Sequence, residues 1–410
     1  MSELEIRPLR PDEFHRFAEI STYAFSGKVP DERADALKRR IVPERDVLVA
    51  VEADEIVSQV LMYEFGVWID GARFPTAGLA DVATVPERAR HGYARHLLRA
   101  ALPWMRDTLG VALATLYPTV YPLYSGLGWT LAEDGLRYRG PAEAFRPSPR
   151  LPVEPGGRVL RRPATRDDVD LLEPIYRAFA APRSGYLDRP RWYWEDSVLR
   201  AQGTTPRWLG LWYGADGELS GYVLYDPSTT PGSSSDPHLY ELIASRAAGY
   251  RDLLTFVSAH NLWNGVTFDA GRDVPWTTLV ANPHLLEAQV PLRGHFMLRL
   301  IDVQRAICLK RPTAVDRRDD LTLNVRDDDA LWNDGTWLIG QRGDRWTCEA
   351  APDREPAATV DIRTLAALFT GFLPVRQALE AGLLWARDDA RSTLESLFAT
   401  QYPPRCADHF

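Results

Sequence analysis

The sequence predicts an α+β/α/β protein: mixed, splayed central sheets flanked by helices, in two tandem copies of one fold, followed by a smaller α+β domain. Three observations carry this prediction. Residues 79–101, LADVATVPERARHGYARHLLRAA, read as a strand, a basic glycine-bearing turn and a helix. After a Pro/Gly-rich stretch at 139–157, the pattern of the first part starts again near Arg162. From Met297 onward the texture changes to short alternating strands and three helices, the first around Ala306 to Leu309. The segments expected are 1–150, 151–302 and 303–410.

The chain has 410 residues, too many for one ordinary core, which agrees with two or three domains. At 45% hydrophobic and 25% charged residues it reads as globular, with no apolar run of about 18 residues to span a membrane. The opening MSELEIRPLRPDEF lacks an apolar signal core. Cys308, Cys348 and Cys406 lie far apart without a CxxC pair, which points to a reducing, cytoplasmic setting and away from structural zinc. A formal charge of −8 speaks against nucleic acid as a partner.

In order, Glu5–Leu9 is a strand, and Pro11-Asp12-Glu13 opens a helix with Phe14, Phe17, Ile20, Tyr23 and Ala24 on its apolar face. Strands at 46–51 and 56–61 flank an acidic turn at 52–55. A third covers 63–69 and turns at Asp70-Gly71. Val82, Ala83, Thr84 and Val85 form a strand ending at Pro86, and Tyr93 to Ala101 form a helix burying Leu97, Leu98 and Ala101. Between them lies Glu87-Arg88-Ala89-Arg90-His91-Gly92. Free amides and the positive end of the helix dipole meet there, which makes an anion cradle. Taken alone, the pattern equally fits a strand–loop–helix unit that binds nothing. Residues 111–116 form a buried strand, followed by Tyr121-Pro122-Leu123-Tyr124-Ser125-Gly126-Leu127-Gly128-Trp129. Here Tyr124 is either a wedge packing the glycine turn or a proton donor, and the upstream cradle favours the donor.

Residues 139–157 read as a linker. Arg162-Pro163 through Asp168 then echo Arg7-Pro8 through Glu13. The 207–212 and 219–224 strands repeat the first hairpin, and 240–256 repeat strand, loop and helix. The second loop, 244–249, has lost most of its basic residues, so this copy is expected to lack a cofactor. Strands at 321–325, 336–340 and 345–349 and helices at 362–369 and 375–382 complete the third domain.

Hydrophobic strand, Pro86 and then Arg90-His91-Gly92-Tyr93-Ala94 resemble the coenzyme A loop of the GCN5-related N-acetyltransferases (GNAT), usually Arg/Gln-x-x-Gly-x-Gly/Ala. Gly92 and Ala94 match, whereas the leading position falls on Ala89, with Arg88 and Arg90 beside it. Two such units, then a third domain ending in Phe410, make the whole chain resemble the Eis (enhanced intracellular survival) family. The resemblance implies a sterol-carrier-protein-like third domain and a homo-hexamer. It also implies acetyl-CoA-dependent transfer to an amine of an aminoglycoside, lysine or polyamine type. In that pattern Val82, Ala83 and Thr84 pair with the pantetheine. Arg90, His91, Gly92, Tyr93, Ala94 and Arg95 wrap the pyrophosphate, and Thr119 and Val120 touch the thioester end. Tyr124 acts as acid and the carboxylate of Phe410 as base. His409 stands where a carboxylate would hold a polyamine, leaving Asp81 or Asp408 to compensate.

The chemistry requires such a pair. An alkyl amine of pKa ~10 must lose a proton before it attacks, and the departing thiolate must gain one. A carboxylate becomes a useful base only where burial raises its pKa, and a water relay is the alternative. Metal ligand spacing is absent among the eight histidines, with His91 and His96 read as solvent-facing. Neither a GxSxG elbow nor a GxxxxGK[ST] loop occurs. Of the thirteen tryptophans, Trp192 and Trp194 stand close together, as core or as part of a substrate pocket. Two rival readings remain: a lipid or small-molecule carrier with vestigial transferase units, and an acyltransferase for longer acyl-CoA.

Overall fold

The structure is a computed structural model of the chain. It describes residues 4–28, 46–133, 135–200, 206–227, 236–260, 262–263, 265–290, 296–312 and 319–410. The first part contributes β1 (Glu5–Pro8), α1 (Phe14–Ser26), β2 (Val47–Glu52), β3 (Glu55–Ile69), β4 (Ala72–Thr84), α2 (Tyr93–Pro103), β5 (Leu113–Leu116), α3 (Tyr121–Ser125) and β6 (Thr130–Leu131). α1 buries Phe14, Phe17 and Ile20 as its periodicity demands. Its last turn runs past the sheet, leaving Tyr23 and Ala24 exposed. β3 and β4 are each longer than the sequence pattern suggests, at 15 and 13 residues. They join through Asp70 (φ +45°) and Gly71 (φ +81°), the left-handed pair that a two-residue hairpin requires.

The chain continues through β7 (Gly135–Gly140), β8 (Arg158–Pro163), α4 (Val169–Ala180), β9 (Leu187–Asp188), β10 (Trp208–Tyr213), β11 (Leu219–Asp226), β12 (His238–Ala244), α5 (Ala247–Ser258), β13 (Val266–Gly271), β14 (Glu287–Gln289) and β15 (Met297–Leu300). The echo between the copies has a physical counterpart. Arg7 donates to Glu13 at 2.7 Å, and Arg162 donates to Asp168 at 2.8 Å, each tying a first strand to the turn that starts its helix.

The two sheets exchange strands. The first has the order β1-β2-β3-β4-β5-β15-β6, with β9 added against β3, and the second β14-β7-β13-β12-β11-β10-β8. β7 thus leaves the first part to pair antiparallel with β13, and β15 returns to lie between β5 and β6. Segments 1–150 and 151–302 are interlocked in the sheets. The stretch expected as a linker begins inside β7, because its alternate arginines find partners: Arg137 on Asp269 at 2.6 Å and Arg139 on Asp236 at 2.8 Å.

The last sheet, β16 (Leu321–Arg326), β17 (Gly335–Arg342), β18 (Arg345–Ala350), β19 (Ala358–Asp361) and β20 (Leu384–Ala386), has the order β18-β17-β16-β19-β20. One continuous core joins Phe74, Leu172, Leu298 and Leu365, so all three parts share it. Among the described residues no helix is long and apolar enough to cross a membrane.

β15 also locks the third part in place. The guanidinium of Arg299 is wholly buried, donates to both oxygens of Asp327 at 3.0 and 2.8 Å, and reaches the Leu127 carbonyl at 2.7 Å. Removing one partner of a buried pair leaves the other uncompensated. Arg299→Ala is therefore expected to lower unfolding stability by about 3–5 kcal/mol, read by urea titration. A loss below about 1 kcal/mol would show the pair to be dispensable.

Candidate functional site

β4 and β5 run parallel and pair only from Thr76↔Leu113 to Leu79↔Leu116. β5 then stops while β4 continues to Thr84, so the main chain of Ala80 to Thr84 loses its neighbour on that side. A bulge marks the same place. Pairing with β3 jumps from Leu61↔Ala80 to Gln59↔Ala83, and Asp81 takes a left-handed φ of +49°. Ser21 of α1 donates to the Asp81 carboxylate at 2.6 Å, steadying the bulge. Val82, Ala83 and Thr84 thus line a wedge with unpaired peptide groups facing it.

At one end of the wedge lies the loop from Val85 to Gly92. Arg90 (φ +66°) and Gly92 (φ +85°) both turn left-handed, and the first bond inside α2 runs from the His96 amide to the Gly92 carbonyl, 3.0 Å. The amides of Tyr93, Ala94 and Arg95 therefore have no partner within the helix and point out of its N-terminus. Glu52 of β2 holds the loop from below, accepting from the Tyr93 hydroxyl at 2.9 Å and pairing with Arg88 at 3.4 Å. Arg95 donates to the Gly126 carbonyl at 3.2 Å. His91 is exposed, with its Nδ1 3.0 Å from the Ala89 carbonyl. Arg90 is exposed and has no ion-pair partner among the described residues. The result is a rigid, cationic, amide-lined cradle.

Tyr124 stands on α3, whose C-cap Gly126 is the residue that Arg95 of the cradle contacts. It is buried, and its ring meets Trp129 edge-on at 6.5 Å. Burial pushes its phenol up to about 12, against the lowering effect of a hydrogen bond with Thr119. Thr119 and Val120 lie exposed immediately before α3.

Phe410 comes from the far end of the chain to the place where β4 and β5 part. Its ring packs 5.0 Å from Phe65 and 5.8 Å from Tyr117, the residue following β5. A side chain at Gly78 would meet Phe65 at 2.6 Å and Phe410 at 2.8 Å, so the glycine opens the seat. Trp192, from the second part, stands 5.1 Å from Tyr63 and 5.8 Å from Phe65 and completes an aromatic wall. His409 is exposed, with its ring 4.5 Å from Tyr117.

The Asp408 side chain is buried and bonded to Arg189 at 2.7 Å, and the Tyr176 hydroxyl lies 3.4 Å away. A buried carboxylate needs a cation, and Arg189 supplies it. Phe65, Gly78, Tyr117 and Arg189 were not singled out from sequence. Tyr63 and Phe65 carried a usable signal, since alternate residues of a strand share one face.

Gly78→Ala is expected to displace the Phe410 ring and to cost about 1–3 kcal/mol by overpacking. Thermal unfolding and Trp192 fluorescence would register it, and no change in either would remove Gly78 from the seat.

Comparison with known proteins identifies the domains. Residues 5–132 match an acetyltransferase (GNAT) domain family, residues 185–300 another acetyltransferase (GNAT) domain family, and residues 303–407 a sterol carrier protein domain family. A protein of Streptomyces avermitilis described as an uncharacterized N-acetyltransferase is 25% identical over 379 residues, 90% of each chain. In fold, the chain resembles a GCN5-related N-acetyltransferase from Anabaena variabilis (20% identity, TM-score 0.87, all of both chains). It also resembles Eis1 from Mycobacterium abscessus (22% identity, TM-score 0.80, 99% of this chain and 100% of that one). The chain thus carries two acetyltransferase (GNAT) domains ahead of a sterol carrier protein domain, and it is an N-acetyltransferase.

Proposed function

We propose that the first domain transfers acetyl from acetyl-CoA directly to a primary amine of an aminoglycoside, lysine or polyamine type, as in the Eis family. The observation that carries this reading is the gap where β4 parts from β5: the cradle of α2 and the unpaired main chain of β4 border it, Tyr124 follows β5 on α3, and the Phe410 ring packs on Tyr117 just after β5 and against Gly78 of β4.

Acetyl-CoA supplies the thioester. The amides of Tyr93, Ala94 and Arg95, with Arg90 and His91 beside them, suit a pyrophosphate. Val82, Ala83 and Thr84 offer main-chain partners to the pantetheine amides, and Thr119 and Val120 border the acyl end. The carboxylate of Phe410 takes the proton that the acceptor ammonium must lose. Tyr124, protonated at neutral pH because its pKa is pushed up to about 12, delivers a proton to the departing thiolate. The half-buried Asp81 carboxylate and the aromatic wall of Tyr63, Phe65 and Trp192 suit a cationic acceptor.

The second domain differs at the matching loop. None of residues 244–249 is left-handed, and Arg246 is bound to Glu154 at 3.2 Å and Asp216 at 3.3 Å. Gly249 lies so tight against Trp212 that a Cβ would approach to 2.8 Å. The reading therefore gives the second domain no coenzyme. In the third domain the packing of Trp337, Trp346, Phe369 and Leu394 in the interior supports a structural role over a carrier's. By resemblance the assembly is a cytoplasmic homo-hexamer.

CoA-thiol release with a panel of aminoglycosides, polyamines and lysine peptides tests the proposal, and amine-dependent release is expected. Tyr124→Phe should lower kcat about 10²-fold or more, and Arg90→Glu should raise the acetyl-CoA KM about tenfold with little effect on kcat. Because the acid form of Tyr124 is the active one, kcat should show no fall from this group below about pH 11. Acetyl-CoA bound without turnover of any amine would defeat the acceptor class, and absence of binding would defeat the reading.

A further inference from the structure

We infer that the second acetyltransferase domain serves as a clamp that seats residues 404–410 in the first domain's site, with Arg189 and Asp408 as its positioning pair. This rests on the reading of the site given above. It assigns work to a domain whose own cradle is closed by Arg246 and Gly249.

The residues leading to Phe410 run through a slot built mainly by the second domain, with Glu133 of the first part beside it. Pro404, Arg405, Cys406 and Asp408 are buried. The Arg405 amide donates to the Ser184 carbonyl at 2.8 Å, and its guanidinium reaches Glu133 at 2.7 Å. Gly185 (φ +98°) lets the segment pass, since a Cβ there would stand 2.7 Å from the Arg405 carbonyl. Two residues before the end, Arg189 Nε donates to Asp408 Oδ1 at 2.7 Å, with side chains only 1% and 2% exposed. Arg189 also grips Glu241, which accepts from the Tyr222 hydroxyl at 2.6 Å. The Tyr193 hydroxyl donates to the His409 carbonyl at 2.8 Å. Beyond these anchors the Phe410 ring lands at Gly78, on the first domain's sheet.

The charges make this an anchor with one replaceable member. Arg189 faces two carboxylates, so Glu241 still neutralises it when Asp408 is removed. Burial pushes the Asp408 carboxyl up to about 6 in spite of Arg189, so the segment docks at some electrostatic cost. A buried ion pair kept at such a cost fixes position more than it adds stability.

Hydrogen exchange on the full chain, with steady-state kinetics on the best amine, tests the clamp. In Asp408→Ala the amides of 405–410 should exchange about tenfold faster or more, while those of Leu97 to Leu102 in α2 keep their wild-type rates. Its kcat should fall at least about tenfold and its acetyl-CoA KM stay within about twofold, because the cradle is untouched. Asp408→Asn, which keeps an acceptor for Arg189, should restore slow exchange and most of kcat. Tyr193→Phe should loosen the segment about fivefold. Wild-type exchange of 405–410 in both Asp408→Ala and Tyr193→Phe would overturn the clamp. Faster exchange with unchanged kcat would support the clamp and overturn the base role given to Phe410.

Discussion

The parting of β4 from β5 is the constraint on which the rest of the structure turns. A parallel pair that stops pairing leaves peptide groups without partners, and such groups must be met by a ligand, by water or by another segment. Here β4 carries on from Leu79 to Thr84 beside an empty register, and the bulge at Asp81 turns it further away. The α2 amides at one end and the aromatic mouth at the other give the gap a direction. On the function proposed, an anionic tail would lie at one side of it and the reacting group at the other.

β15 keeps that gap from spreading. It closes the far edge of β5, and Arg299 bolts it to Asp327 of the third domain and to Leu127 beside α3. Tyr124 is therefore braced by residues from three parts of the chain. The third domain also delivers the segment that ends at Phe410, so a fold of sterol-carrier type sends its tail onto the first domain's sheet, where the Phe410 ring packs on Phe65.

What could be read from sequence was what lies close together along it. The loop 86–92 and its helix, Tyr124 before a glycine turn, the hairpin at Asp70-Gly71 and the repeat of Arg7–Glu13 as Arg162–Asp168 are local patterns set by turn chemistry and periodicity. The strand exchange was not legible, because the pairing of 135–140 with β13, and the ion pairs of Arg137 with Asp269 and Arg139 with Asp236, join residues about a hundred or more positions apart. The seat of Phe410 was likewise hidden, since Gly78, Phe65 and Tyr117 acquire meaning only once the tail arrives. The partner of Asp408 was hidden for a related reason: its cation Arg189 is 219 residues away.

The exchanged strands also set a timetable for synthesis. β5 emerges from the ribosome long before Met297, which begins its antiparallel neighbour β15. At ~5–20 residues per second the first sheet waits on the order of ten seconds or more with an apolar edge exposed. Leu113, Ala114 and Leu116 on that edge would pair readily with a neighbouring nascent chain. A chaperone, or provisional pairing by β7, would have to shield β5 until β15 is made. The order of translation therefore bears on how this enzyme reaches its native state.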